Sequence, residues 1–167
     1  MTRLNYDLSD FSDDGTLKVP FTLWVALAFL ARHVLLLLMG GVSSFVMSRR
    51  GIDTGGFIEI YSSPLFLLAS LPAVAVLVAA LRRNPQAGRA TRAIWRNGRL
   101  LSSTAAALDI GILLSRALFA SLSVTGFVVA MTFLDVYVLV YLLRSVRVKD
   151  TFEDFPVSHQ ENTTSGN

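Results

Sequence analysis

Four apolar runs take up most of the chain and set what it can fold into. They cover about residues 20–47, 64–81, 100–120 and 124–143. A helix needs roughly 20 mostly apolar residues to cross a hydrocarbon core about 30 Å thick. Backbone groups in lipid must satisfy one another, so runs of this kind are predicted as helices. The expected fold class is all-α, a polytopic membrane protein built as a four-transmembrane-helix bundle with short loops. Of the 167 residues, 53% are hydrophobic and 16% charged, with a mean hydropathy of +0.54. Soluble domains carry about 25% charged residues. The polar remainder is an acidic segment, 1–19, a basic loop, 82–99, and a polar tail, 148–167, expected to be disordered. Asp7, Asp10, Asp13 and Asp14 stand where a secretory leader carries basic residues, so the first run is expected to stay in the mature chain.

Charge sets the expected orientation. Loop 82–99 holds Arg82, Arg83, Arg89, Arg92, Arg96 and Arg99 with no acidic residue. The loop between the first two runs holds Arg49 and Arg50 against Asp53 and Glu59. The positive-inside rule places loop 82–99 in the cytoplasm, and four spans then place both termini there as well. Arg144, Arg147 and Lys149, just after the fourth run, agree. Only the hexapeptide SLSVTG, residues 121–126, separates the third and fourth runs, which predicts an antiparallel hairpin. Trp24, Tyr137 and Tyr141 are candidates for aromatic belts.

The segment before the first run places Asp10, Ser12, Asp14, Gly15 and Leu17 at the first, third, fifth, sixth and eighth positions of a calcium-binding loop. The twelfth position, which needs a bidentate carboxylate, is Phe21, and Lys18 adds a positive charge inside. A turn at Asp14-Gly15 is the better reading, with Pro20 opening the span and the aspartates near the positive end of its dipole. Tyr6, Asp10, Asp13, Gly15, Leu17, Lys18, Pro20 and Trp24, followed by Ala31-Arg32, give this region a specific pattern. It resembles the opening of the YfeZ-like proteins, a family of small bacterial inner-membrane proteins of unknown function. The resemblance implies a bacterial inner-membrane location and brings no catalytic residues with it.

Ionisable residues interrupt three of the apolar runs. Arg32 and His33 lie near the middle of the first, Asp109 and Arg116 in the third, and Asp135 near the middle of the fourth. Each charge at the centre of a membrane helix costs about 2.5–3.5 kcal/mol on insertion scales. Two arginines and two aspartates point to mutual neutralisation, with Arg32 facing Asp109 or Asp135 at similar depth. Asp109 and Arg116 are seven residues apart, about 10.5 Å along a helix, too far for a direct bond. This network is a candidate either for a structural lock or for a proton or ion path.

Two further patterns stand out. Ser103, Ala107, Gly111 and Ser115 form a small-residue stripe at four-residue spacing, suited to close helix packing within the chain or against a second copy. In the basic loop, Asn84-Pro85 is a helix-start signal, with Arg89, Arg92, Arg96 and Arg99 on one arc and Ala87, Ala90, Ile94 and Leu101 opposite. Such a helix would lie on the membrane surface and meet anionic lipid, although setting topology alone also explains the arginines.

With no cysteine, two histidines (His33 and His159), no HExxH and no GxSxG, the sequence predicts neither an enzyme nor a metal or other cofactor. The expected partners are the lipid bilayer and another membrane protein or a second copy, and not nucleic acid. An accessory or scaffolding role in the membrane is the leading expectation, with a small transporter or proton pathway using the buried Asp, Arg and His residues as the alternative.

Overall fold

A computed structural model describes residues 7, 10, 11, 16–48, 64–119 and 126–156. Among these there are seven helices: α1 (Phe21–Leu30), α2 (Arg32–Ser48), α3 (Pro64–Leu81), α4 (Arg89–Arg96), α5 (Gly98–Phe119), α6 (Gly126–Arg144) and α7 (Val146–Glu153). Helix α3 and the stretch Gly98–Leu118 of α5 are each long and apolar enough to cross a membrane alone. Two bent pairs also qualify when each is taken as one span, Phe21–Leu30 with Arg32–Gly40 and Val129–Arg144 with Val146–Glu153. The described helices thus provide two to four candidate spans.

The first apolar run, expected as one helix over 20–47, is broken at Ala31, where α1 and α2 meet at 66°. Neither proline nor glycine stands at the break. Instead the Arg32 guanidinium folds back and donates to the Phe29 carbonyl at 3.2 Å, taking an acceptor that the helix ladder would otherwise use. At the far end of the chain α6 and α7 meet at 64°. There Ser145 leaves the helical conformation, and its hydroxyl accepts from the Val148 amide at 3.3 Å as the cap of α7.

The core draws mainly on α1, α3, α5 and α6. Leu23, Ala26, Leu27 and Leu30 come from α1, Ala73, Val76, Ala79 and Ala80 from α3, Ala105 and Ala106 from α5, and Val138 and Leu142 from α6. Alanines dominate where α3 and α5 run together, which lets the two backbones approach closely where lipid gives no hydrophobic drive between helices. The outside is correspondingly apolar: Phe21, Leu38, Met39, Leu68, Leu118 and Phe133 are among many large hydrophobic side chains left exposed. Such a surface suits lipid rather than water.

One end of the bundle is closed by polar segments. Residues 148–156, expected within a disordered tail, instead form most of α7 and its extension, burying Val148, Thr151 and Phe152. Their i, i+3, i+4 spacing gives α7 one apolar face, which packs on α4 and α5. Helix α4 begins at Arg89 rather than at Asn84, because the Asn84 carbonyl accepts from the Ala87 amide and closes a turn ahead of it. The chain before α1 joins the same end. Phe11 and Leu17 form an antiparallel bridge, the Asp10 carboxylate accepts from Arg147 at 2.6 Å, and the Leu17 amide donates to the Asp154 carboxylate at 2.9 Å. Asp10 therefore meets Arg147 rather than the start of α1, whose first turn contains no acidic residue. Asp13, Asp14 and residues 157–167 lie outside the described residues.

Candidate functional site

The break in the first run delivers Arg32 and His33 to the interior beside α5 and α6. Arg32 meets Asp135 through two parallel bonds, Nη1 to Oδ1 and Nη2 to Oδ2, both 2.9 Å. Its Nη2 also donates to Asp109 Oδ2 at 2.5 Å. This fork-to-fork geometry uses the planar guanidinium in a way that lysine could not reproduce. The guanidinium additionally rests 4.2 Å from the centroid of the Phe29 ring. Asp135 is fully buried and Asp109 nearly so, at 3% exposure.

His33 lies on the other side of Asp109, with Nε2 3.4 Å from Oδ1. Its ring stacks on Phe66 of α3, centroids 4.8 Å apart. Arg116 sits two turns beyond Asp109 on α5, with its guanidinium 5.1 Å from the Phe66 centroid. The structure thus brings Arg32, His33, Asp109 and Asp135 into direct proximity, with Arg116 one aromatic ring removed. Phe66 was not distinguishable in sequence from any other apolar residue of its helix.

Chemically, the cluster ties α1 and α2 to α5 and α6 through charge-assisted bonds whose carboxylates are buried. Removing any partner would strand a buried charge. Two carboxylates and an imidazole are also groups able to exchange a proton. Among the described residues no three His, Cys, Asp or Glu side chains are arranged so that they could hold a metal ion.

The small-residue stripe has a different place from the one its spacing suggested within a bundle. Ala107, Gly111 and Ser115 are exposed, and only Ser103 is partly buried. A Cβ added to Gly111 would meet nothing within 4 Å. The side of α5 that is buried carries Ser102, Ala105, Ala106 and Asp109. Asp109 is drawn inward by Arg32, and that rotation turns the stripe outward.

The four arginines expected to share one lipid-facing arc separate into two groups. Arg89, Arg92 and Arg96 of α4 are exposed. Arg99 instead turns to the end of α6, donating to the carbonyls of Leu142, at 2.9 Å, and Leu143. These are the carbonyls a helix end leaves without partners. Arg92 also donates to the Pro85 carbonyl at 3.0 Å.

Beneath α4, Arg83 donates to the carbonyls of Leu17 at 2.8 Å and Asp154 at 2.9 Å, joining chain segments from both ends of the sequence. Burial lowers the Arg83 guanidinium below the ordinary arginine value, and the nearby Asp154 partly opposes this. Trp95 is fully buried, and its indole N–H lies 3.1 Å from the Thr151 carbonyl and 3.2 Å from that of Asp154. In the sequence Arg83 was one of six loop arginines and Trp95 carried no expectation. The available signal was a single tryptophan beside Ile94 among arginines.

A family model described as a protein of unknown function (DUF2919) matches residues 6–154. No curated protein and no solved structure matches the chain. The matched range runs from the segment before α1 through the capping helix α7, so it takes in the charged cluster and the closed end together. On that coverage, the chain belongs to the DUF2919 family of proteins of unknown function.

Proposed function

We propose that this protein is a four-span, non-catalytic accessory or scaffolding protein of the bacterial inner membrane, with both termini in the cytoplasm. We further propose that its family is the one to which the YfeZ-like resemblance of the opening segment points. The observation that carries the accessory role is the way the interior charges are used. Arg32 is committed at once to Asp135, Asp109 and the Phe29 carbonyl, a lock that fixes four helices in one arrangement. Outside that lock, α5 presents Ala107, Gly111 and Ser115, small enough for a neighbouring membrane helix to approach.

The even span count is supported by the closed end. Asp10 and Leu17 from the segment before α1, the loop carrying α4, and α7 meet there, as they must if an even number of crossings separates each from the next. The arginines at this end favour the cytoplasmic side.

Native co-purification of a tagged copy in lipid nanodiscs tests the role. A stoichiometric membrane partner or a defined second copy is the expected result. Proteoliposomes that pass protons or ions, with the flux abolished by Asp109→Asn or Asp135→Asn in a folded protein, would overturn it in favour of a pathway. Orientation is read separately with single introduced cysteines, since the chain has none of its own. Labelling at positions 90 and 155 only from the cytoplasmic side is expected.

A further inference from the structure

We propose that the exposed face of α4 is a binding surface for the phosphate headgroups of anionic phospholipids, and that Arg89, Arg92 and Arg96 are its contact residues. At 100° per residue these three side chains fall within an arc of about 60°. Beside that arc, about 90° round from its centre, α4 is pinned by Trp95, whose indole donor points at Thr151 and Asp154, and the Arg83 guanidinium lies 5.1 Å from the same indole. The arginines are therefore presented by a helix fixed in orientation.

Position along the membrane normal selects the partner. Helix α4 connects the end of α3 at Leu81 to the start of α5 at Gly98 and packs against both. With α3 and α5 crossing the bilayer, α4 has no freedom to leave the headgroup layer. Leu81, 71% exposed, and Leu100, 69% exposed, flank it and mark where hydrocarbon begins. A water-soluble acidic partner would leave those side chains wet, whereas a phospholipid covers them with its acyl chains as its phosphate meets the guanidinium groups. Arg99 is excluded from the surface by its bonds to the end of α6, which sequence spacing alone would not have separated. The inference rests on α3 and α5 as membrane spans and is independent of the accessory role.

The test is native mass spectrometry of the detergent-purified full chain with equimolar phosphatidylglycerol and phosphatidylcholine of identical acyl chains. Wild type is expected to retain phosphatidylglycerol preferentially. The double variant R89Q/R96Q, which keeps the Arg92 bond to Pro85, is expected to lose that preference by roughly thirtyfold, about fivefold for each surface arginine. R82Q/R144Q removes the same charge from exposed positions at the same end, outside α4, and is expected to retain most of the preference. Equal retention by wild type and R89Q/R96Q, or an equal loss in R82Q/R144Q, would overturn the proposal. Capture of an acidic protein through Arg89 and Arg96 without any lipid preference would overturn it too. Extraction of the wild type from carbonate-washed membranes would instead remove the spanning premise. Matching melting curves for all variants establish that lost preference is not lost fold.

Discussion

Replacing Arg32 by methionine keeps a long flexible side chain and removes the guanidinium that links α2 to α5 and α6. The loss comprises two bonds to Asp135, one to Asp109 and one to the Phe29 carbonyl. Hydrogen bonds to charged groups contribute about 1.5–3 kcal/mol each, but a simple sum overstates the effect because stranded carboxylates take up protons. Loss of one partner from a buried ion pair costs about 3–5 kcal/mol, and Arg32→Met is expected within that range. Reversible unfolding in mixed micelles, followed by tryptophan fluorescence, measures it. The two tryptophans report from different places, Trp24 on α1 and Trp95 within the closed end. The triple variant R32M/D109N/D135N then supplies the decisive comparison. It no longer strands carboxylates, so it is expected to recover at least about 1.5 kcal/mol relative to Arg32→Met, a coupling within the range seen for groups in one network. Destabilisation by Arg32→Met of less than about 1 kcal/mol, or a triple variant no more stable than the single one, would refute the assignment of Arg32 as the interior lock.

Gly98→Ala tests the closed end sterically. The added Cβ would stand 2.7 Å from Phe152 Cδ1 and closer still to Cε1, in a ring that is buried and 4.8 Å from the Trp95 ring. A cost of about 1–3 kcal/mol is expected, as for other overpacked sites, and Phe152→Leu in the same chain should recover part of it in the same unfolding assay. Arg83→Met removes the donors to Leu17 and Asp154. It is expected to accelerate amide hydrogen exchange at Leu17 and Lys18 by about tenfold or more while leaving the amides of α3 and α5 protected, because the bonds it breaks are local to the closed end.

The parts of this architecture visible in sequence are those governed by local chemistry. A run such as PLFLLASLPAVAVLVAAL can satisfy its backbone in lipid only as a helix, and α3 forms over that stretch, Pro64–Leu81. Arg32, His33, Asp109 and Asp135 were conspicuous because each is costly in an apolar run. The capping helix α7 was legible in principle, since Ser145 and the spacing of Val148, Thr151 and Phe152 are local signals. Its polar composition concealed them. Nothing local marked Phe66 or Arg83. Phe66 matters because His33 stacks on it, and Arg83 because chain segments 66 and 71 residues away bring it their carbonyls.

Hydropathy and charge, read along the chain, determined the helical membrane class, the approximate apolar runs and the need to neutralise buried ions, because each follows from the cost of placing a residue type in lipid. Tertiary structure decided which ions meet. One guanidinium reaches both aspartates and a carbonyl of its own run, so the first helix bends by 66° at an alanine and the charged side of α5 turns inward. That rotation leaves the small-residue stripe outside, and packing at the closed end divides four similar arginines into three that face outward and one that caps α6. Such outcomes depend on where distant donors and acceptors come to lie, a property of the assembled fold rather than of any single segment.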